Sequence, residues 1–215
     1  MFQPIFSLTN LKGMITYMKL LFKSMVCGLV ISCILSMTGF CSVCENLRKD
    51  VFRLHILANS DSVQDQTLKL KVRDGILDYT AEIFRNCTSR EQALETAEKH
   101  LDRIKAECRK VIRENGFDYS VEVYTTKMNF NTRVYENFTL PAGKYDALRI
   151  VIGSGNGHNW WCMIYPSLCI PSAQQNKPES SLDESEMDVI SHSGQYEVKF
   201  RLVEIFENIC AFFSE

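Results

Sequence analysis

Val51-Phe-Arg-Leu-His-Ile-Leu-Ala58 runs straight into Asn59-Ser-Asp-Ser62 and then into a stretch whose apolar residues fall at Leu68, Val72, Ile76, Tyr79 and Ile83. In the first eight residues Phe52, Leu54, Ile56 and Ala58 alternate with Arg53, His55 and Leu57, the period of two that marks a half-covered strand. The four polar residues offer side-chain oxygens to the free amides of a helix N-terminus, and Ser62 stands three before Asp65, close to a capping-box spacing. The stripe that follows advances by threes and fours, so the chain turns from strand to helix at residue 62. Gly75 weakens that helix slightly.

Working outward, Thr88-Ser89 opens a second helix with Gln92 three residues after Ser89, and Gly116 ends it. Ala93, Ala97, Leu101, Ile104, Cys108 and Val111 form its seam; the opposite face, dense in Glu, Lys and Arg, is ordinary solvated surface. From Tyr119 the period returns to two. Strands are expected at 119–124, 132–140, 145–153 and 160–165, with Pro141-Ala-Gly143 and Gly153 to Gly157 as punctuation. The polar segment 172–188 reads as a mobile loop. Residues 195–202 are expected as strand and 203–213 as a short apolar helix. The fold class is therefore α+β: a single domain with a mainly antiparallel sheet, packed with two long antiparallel helices and a short C-terminal helix.

Residues 1–44 contain Lys12, Lys19 and Lys23 and no acid, and Ser24 to Cys44 is an uncharged run. Lysines, a short apolar stretch and then small residues have the anatomy of a secretory signal, or of an anchor if the segment is not cleaved. A buried core helix is the competing reading, disfavoured by the one-sided lysines and the lack of a polar face. The domain boundary is placed accordingly: 1–44 signal peptide or signal anchor, 45–215 extracytoplasmic domain.

The whole chain has 215 residues, 46% of them hydrophobic and 23% charged. That length suits one domain, and that composition excludes wholesale disorder. Removing the leader leaves 21 basic against 26 acidic residues, so no field favours a phosphate backbone and nucleic-acid binding is excluded as a general function.

Nine cysteines would be many for a cytosolic enzyme, but four sit in or beside the leader. Of the remaining five, Cys162 and Cys169 are near in sequence and flank Pro166. An oxidising compartment makes them a disulfide pair or, equally, two separately buried thiols.

The motifs that resemble catalytic or ligand sites fail on context. Gly153-Ser-Gly-Asn-Gly157 follows a strand, but a dinucleotide loop must open onto a helix, whereas Trp160-Trp161 and a strand-like run come next. His158, Cys162 and Cys169 do not have the spacing of a strong metal signature and lack an obvious fourth ligand. His158 with Cys162 is the one arrangement suggesting a thiol hydrolase, and it lacks a visible orienting group. No cofactor and no metal are expected. The adjacent tryptophans point to opposite faces of their strand. One fills the core; the other is a docking anchor or, if both sheet faces are covered, a second packing residue.

Phe52 to Ser62 with Asp65-Gln66 and Leu68 to Asp74, Leu140-Pro-Ala-Gly143, Tyr145-Asp-Ala-Leu-Arg149, Gly153 and Gly157-His-Asn-Trp-Trp-Cys162 through Pro166, Leu168 and Cys169 resemble the ordered motifs of the stage II sporulation protein R family of endospore-forming Firmicutes. Tyr196 to Phe200 with Val203-Glu204 is similar to that family's C-terminal end, so the likeness runs over about 45–205. Ser167 departs from an expected second proline.

The resemblance implies a signalling protein, not an enzyme. It would be exported from the forespore into the space between forespore and mother-cell membranes, where it switches on a membrane-embedded aspartic protease that cleaves an inactive mother-cell sigma factor precursor. The protease is then the expected partner, with membrane contact through the N-terminal segment only. No catalytic residues are carried over. The docking surface is expected at Asn59, Ser60, Asp61, Asp65, Gln66, Lys69 and Arg73 on the first corner and at His158, Asn159, Trp160 and Trp161 on the later loop. The competing functions are a secreted cysteine hydrolase using Cys162 and His158, and a structural protein of the spore envelope.

Overall fold

The computed structural model describes residues 8–135, 138–166, 182–192, 194 and 196–213. In chain order its elements are α1 (Leu8–Asp50), β1 (Phe52–Leu57), α2 (Val63–Ile83), α3 (Arg90–Lys99), α4 (Leu101–Glu114), β2 (Val121–Phe130), β3 (Arg133–Val134), β4 (Thr139–Leu140), β5 (Gly143–Ile152), β6 (Asn159–Tyr165), α5 (Glu184–Ser191) and α6 (Glu197–Phe213).

The chain divides into two units, Met1–Ser42 and Val43–Glu215. In the first, α1 is long and apolar enough to cross a membrane, by length and composition. Its Met14, Leu20, Phe22, Leu29 and Leu35 side chains are exposed, which is not the arrangement of a core helix. An N-terminal signal or anchor helix fits it.

In the second unit a four-stranded sheet has the order β2-β5-β1-β6. β1 pairs parallel with β5 and antiparallel with β6, and β2 pairs antiparallel with β5. The α+β architecture with a mainly antiparallel sheet is as the alternation implied, with one parallel pairing at its centre.

One sheet face carries the larger core. Phe52, Leu54 and Ile56 of β1 meet Leu68, Val72 and Ile76 of α2 and Ile104, Cys108 and Ile112 of α4. α2 and α4 run antiparallel: Lys71 Nζ reaches Asn115 Oδ1, while four residues on, Gly75 lies against Val111. Ser62 and Ser89 cap their helices, accepting from Asp65 N at 3.2 Å and Gln92 N at 3.3 Å.

The second expected helix is broken at His100. Its amide bonds Ala97 O, three residues back, because the ring Nδ1 sits 2.8 Å from Thr96 O, the acceptor a continuous helix would use.

Three further expectations are corrected. The strand over 132–140 is instead a two-residue pair, β3 and β4, forming a separate sheet. The strand over 195–202 is the start of α6: Phe200 and Val203, three apart, are buried, while Val198 is 73% exposed. A half-covered strand would have buried Val198 and Phe200 on one side; helical spacing turns them to different sides. The mobile loop over 172–188 ends in α5, and its residues 172–181 lie outside the described residues.

Helix α5 starts with a full capping box: Glu186 N donates to Asp183 Oδ1 at 2.8 Å, and Asp183 N donates to Glu186 Oε2 at 2.9 Å. Glu186 is 2% exposed, and burial, reinforced by the adjacent Asp50 and Asp183 carboxylates, pushes its pKa up to about 7. A carboxyl raised in the fold stays protonated where the unfolded group, at about 4.3, has ionised. It therefore favours the folded state at acid pH and loses that contribution as pH rises from about 4 to 7. We expect Glu186→Gln, which keeps the capping geometry, to melt like the wild type at pH 4 and roughly 5 °C higher at pH 8. Parallel melting curves at both pH values would remove the titration from α5.

Candidate functional site

Seven of the eleven expected docking residues come together where β1 ends. Asp65, 4% exposed, is the centre. Its Oδ2 accepts from Asn59 Nδ2 at 2.9 Å and Ser60 Oγ at 2.6 Å, and these bonds, the Ser60 hydroxyl foremost, hold its carboxyl below the usual carboxylate range. Tyr119 also hydrogen-bonds Asp65, which raises the phenol's pKa.

Around that centre, Gln66 Nε2 donates to Ser60 O at 2.9 Å, and Lys69 Nζ donates to Gln66 Oε1 at 2.6 Å and to His158 O at 2.9 Å. Lys69 is 5% exposed, and burial draws its pKa down. The corner is tied to the loop before β6 by both backbone and side chains. Asn59 Oδ1 accepts from Ser154 N at 3.0 Å, and Asp61 Oδ1 accepts from His158 N at 2.6 Å and lies 2.5 Å from His158 Nδ1. Those His158 bonds lower the Asp61 pKa.

The glycines of this loop serve the same junction. A Cβ on Gly157 would lie 2.2 Å from Ser60 O, a backbone atom that cannot yield, so Gly157 is the residue that lets the loop close on the corner. The Gly153–Gly157 run is a close backbone connection, as its mismatch with a phosphate loop implied.

The other four residues separate from this network. Arg73 lies over the Trp160 ring at 5.0 Å, both half-buried beside the larger core. Asn159 is exposed and its side chain reaches toward His55. Trp161 is on the opposite sheet face, stacked on His55 at 5.7 Å with Arg133 3.6 Å above its ring. Both tryptophans are half-buried, so each does packing work while keeping an open edge.

Cys162 is 1% exposed; Cys169, its expected partner, lies outside the described residues. Cys162 pairs in register with Leu54 on the helix-covered face, while the His158 side chain is 80% exposed with its Nδ1 on Asp61. The pair does not form a base and a thiolate. Among the described residues no three His, Cys, Asp or Glu side chains are grouped to hold a metal ion.

Sequence reasoning missed Ser154 and Tyr119, whose roles depend on contacts across 95 residues and from a neighbouring loop. It also missed the second sheet face. There Arg53 is 0% and His55 3% exposed, with Arg149 opposite His55 in register. Burial first, then the Arg149 charge, lowers His55 to about 4, so the ring is neutral at physiological pH. The signal was present in the alternation itself, because Arg53 and His55 share the side that the reading left solvated.

The central motif is built from internal contacts. Arg48 donates to Ala142 O through Nε at 3.0 Å and Nη2 at 2.7 Å, close enough to Gly143, at φ +147°, that no side chain fits there. Tyr145 Oη donates to Pro141 O at 2.7 Å, and Asp146 pairs with Arg90.

The family model described as stage II sporulation protein R matches residues 48–175. Stage II sporulation protein R of Bacillus subtilis (strain 168) is 41% identical over 117 residues, 54% of this chain and 52% of that protein. The chain thus spans about half the length of the curated relative it matches. The matched region stops short of the Tyr196 to Glu204 motif. No solved structure matches. With both ordered motifs, the corner and the loop it holds lying inside the matched residues, the chain belongs to the stage II sporulation protein R family and its role is in sporulation.

Proposed function

We propose that this protein is an exported, non-enzymatic activator that binds a membrane-embedded aspartic protease and so triggers cleavage of the inactive mother-cell sigma factor precursor. Export from the forespore into the intermembrane space, with α1 as signal or anchor, is part of the proposal. A binding protein can switch an enzyme by holding a competent state more tightly than an incompetent one. Activation then requires a surface and no chemistry.

The observation that carries this reading is the state of the polar corner. Its groups are spent on one another, and Cys162 on the adjoining strand is buried on the helix-covered face, away from the exposed His158 ring. A preorganised, exposed Asp61–His158 pair on a stiff junction suits docking, whereas hydrolysis would need an unbonded thiolate beside the imidazole. The bridge between Cys162 and Cys169 is proposed to brace this region.

The test uses the full chain expressed with the candidate protease and the sigma precursor. Asp61→Ala combined with His158→Ala is expected to lower precursor cleavage at least tenfold, with unchanged export and circular dichroism. Cleavage that proceeds equally with and without the chain overturns the activator reading.

A further inference from the structure

On the sheet face away from α2 and α4, three arginine side chains form no ion pair among the described residues. Arg53 is wholly buried, its Nη2 donating to Tyr135 Oη at 2.9 Å and its guanidinium 4.0 Å from the Phe130 ring centre; its Nε and Nη1 have no hydrogen-bond partner among the described residues. The Nε atoms of Arg133 and Arg149 and the indole Nε1 of Trp161 are likewise buried and unpartnered among the described residues. Glu204 attracts Arg133 through space, but its ion pair is with Arg201.

Arg149 is the exception within its own strand. Tyr145 and Asp146 have internal partners and Ala147 and Leu148 are core, while Arg149 lies half-exposed 6.0 Å from the Tyr124 ring centre. Register places Arg149 and Trp161 on either side of His55, on the two strands flanking β1. Arg133 is stacked over Trp161. Two strand spacings, about 10 Å, separate β5 from β6, within reach of two converging arginine side chains. His55, being neutral, adds a flat ring and no repulsion.

Unsatisfied buried donors on arginine are costly, and such donors are matched best by a planar oxyanion that accepts two bonds at once. We propose that this face is a carboxylate-binding surface: Arg133 and Arg149 grip an Asp or Glu side chain of the partner protein above the His55–Trp161 stack, with Arg53 adding a third positive charge from beneath. This rests on the activator reading for the partner's identity as a protein, and on charge complementarity for its chemistry. It adds a second contact on the sheet face opposite the polar corner, where of the expected docking residues only Asn159 and Trp161 lie.

The full chain carrying Trp160→Phe leaves Trp161 as the sole indole reporter. Titration with acetyl-Ala-Glu-Ala-Glu-Ala-amide should change its fluorescence saturably, and the glutamine analogue at equal ionic strength should not. Arg149→Ala and Arg133→Ala should each weaken that binding at least fivefold, with Arg149→Lys falling between, and near-ultraviolet circular dichroism reports whether the variants stay folded. In the protease assay Arg149→Glu should reduce cleavage at least tenfold.

Equal binding of the two peptides, or of neither, overturns the carboxylate site. So does full cleavage with Arg149→Glu. Cleavage that never depends on the chain removes the activator reading instead, a result the peptide titration does not depend on.

Discussion

Asp65→Ala is expected to lower stability by about 3 kcal/mol, which for a chain of this size is roughly 6–12 °C in melting temperature, and to abolish precursor cleavage. Removing the carboxylate strands the Asn59 amide and the Ser60 hydroxyl, which now converge on Oδ2 at 2.9 and 2.6 Å. Each partly buried donor left without an acceptor costs about 1–3 kcal/mol. The damage does not stop at the corner. Asn59 holds Ser154 through its own side-chain oxygen, and Ser60 O accepts from Gln66, which in turn steadies Lys69 against His158 O. The same substitution therefore releases the loop before β6.

Asp65→Asn separates charge from shape. An amide oxygen can accept both donors, so the expected loss is about 1 kcal/mol, the charge-assisted part. The pH dependence gives an independent check. Because the folded carboxyl is held below its unfolded value of about 3.9, its stabilisation is present above that value and is lost as pH falls through the folded value. Asp65→Asn should flatten the acid limb of the stability curve below pH 4 and leave the limb near neutrality to Glu186. Thermal melts of the three proteins between pH 2.5 and 8 decide the matter; an unchanged acid limb in Asp65→Asn would remove Asp65 as the keystone.

The same residues show what a sequence can and cannot give. The strand at Phe52–Leu57, the turn into a helix at Ser62 and the seams of the two helices were legible because alternation, three-four spacing and capping are local. Asp65 was readable as a cap neighbour and as a docking residue. Its place at the centre of a network was not, because Tyr119 and the Ser154 loop arrive from other parts of the chain. The break at His100 depends on a ring choosing a backbone oxygen, which periodicity does not record. At Tyr196 to Phe200 an alternation of only five residues satisfied the strand pattern while the tertiary contacts of Phe200 and Val203 demanded a helix. Arg53 was visible as a letter on one side of a strand. That it, Arg133 and Arg149 form no ion pair among the described residues became visible only once the sheet assembled.

Arg53→Met is expected to raise stability by ~1–2 kcal/mol while reducing precursor cleavage at least tenfold. Arg53 is wholly buried and has one hydrogen bond, to Tyr135 Oη, and no carboxylate among the described residues. Burying a charge without an ion-pair partner carries a penalty of several kcal/mol, and replacing buried charged groups by apolar ones of similar volume is often stabilising by 1–4 kcal/mol. Against this stand the attraction of the guanidinium for the Phe130 and Tyr145 rings, at 4.0 and 5.0 Å, worth about 1–2 kcal/mol when desolvated, and one lost hydrogen bond of about 1 kcal/mol. Methionine fills the same slot between the rings with a flexible, polarisable chain, so the desolvation term dominates and the sign is positive. Arg53→Ala must behave oppositely, because it removes the charge but leaves a cavity that costs 2–5 kcal/mol in comparable cores. The pair of variants thus separates charge from volume. A chain made more stable and less active by one substitution would locate the function of Arg53 in what it presents to a partner; a Met variant that is destabilised, or one that remains fully active, would return Arg53 to the role of packing residue.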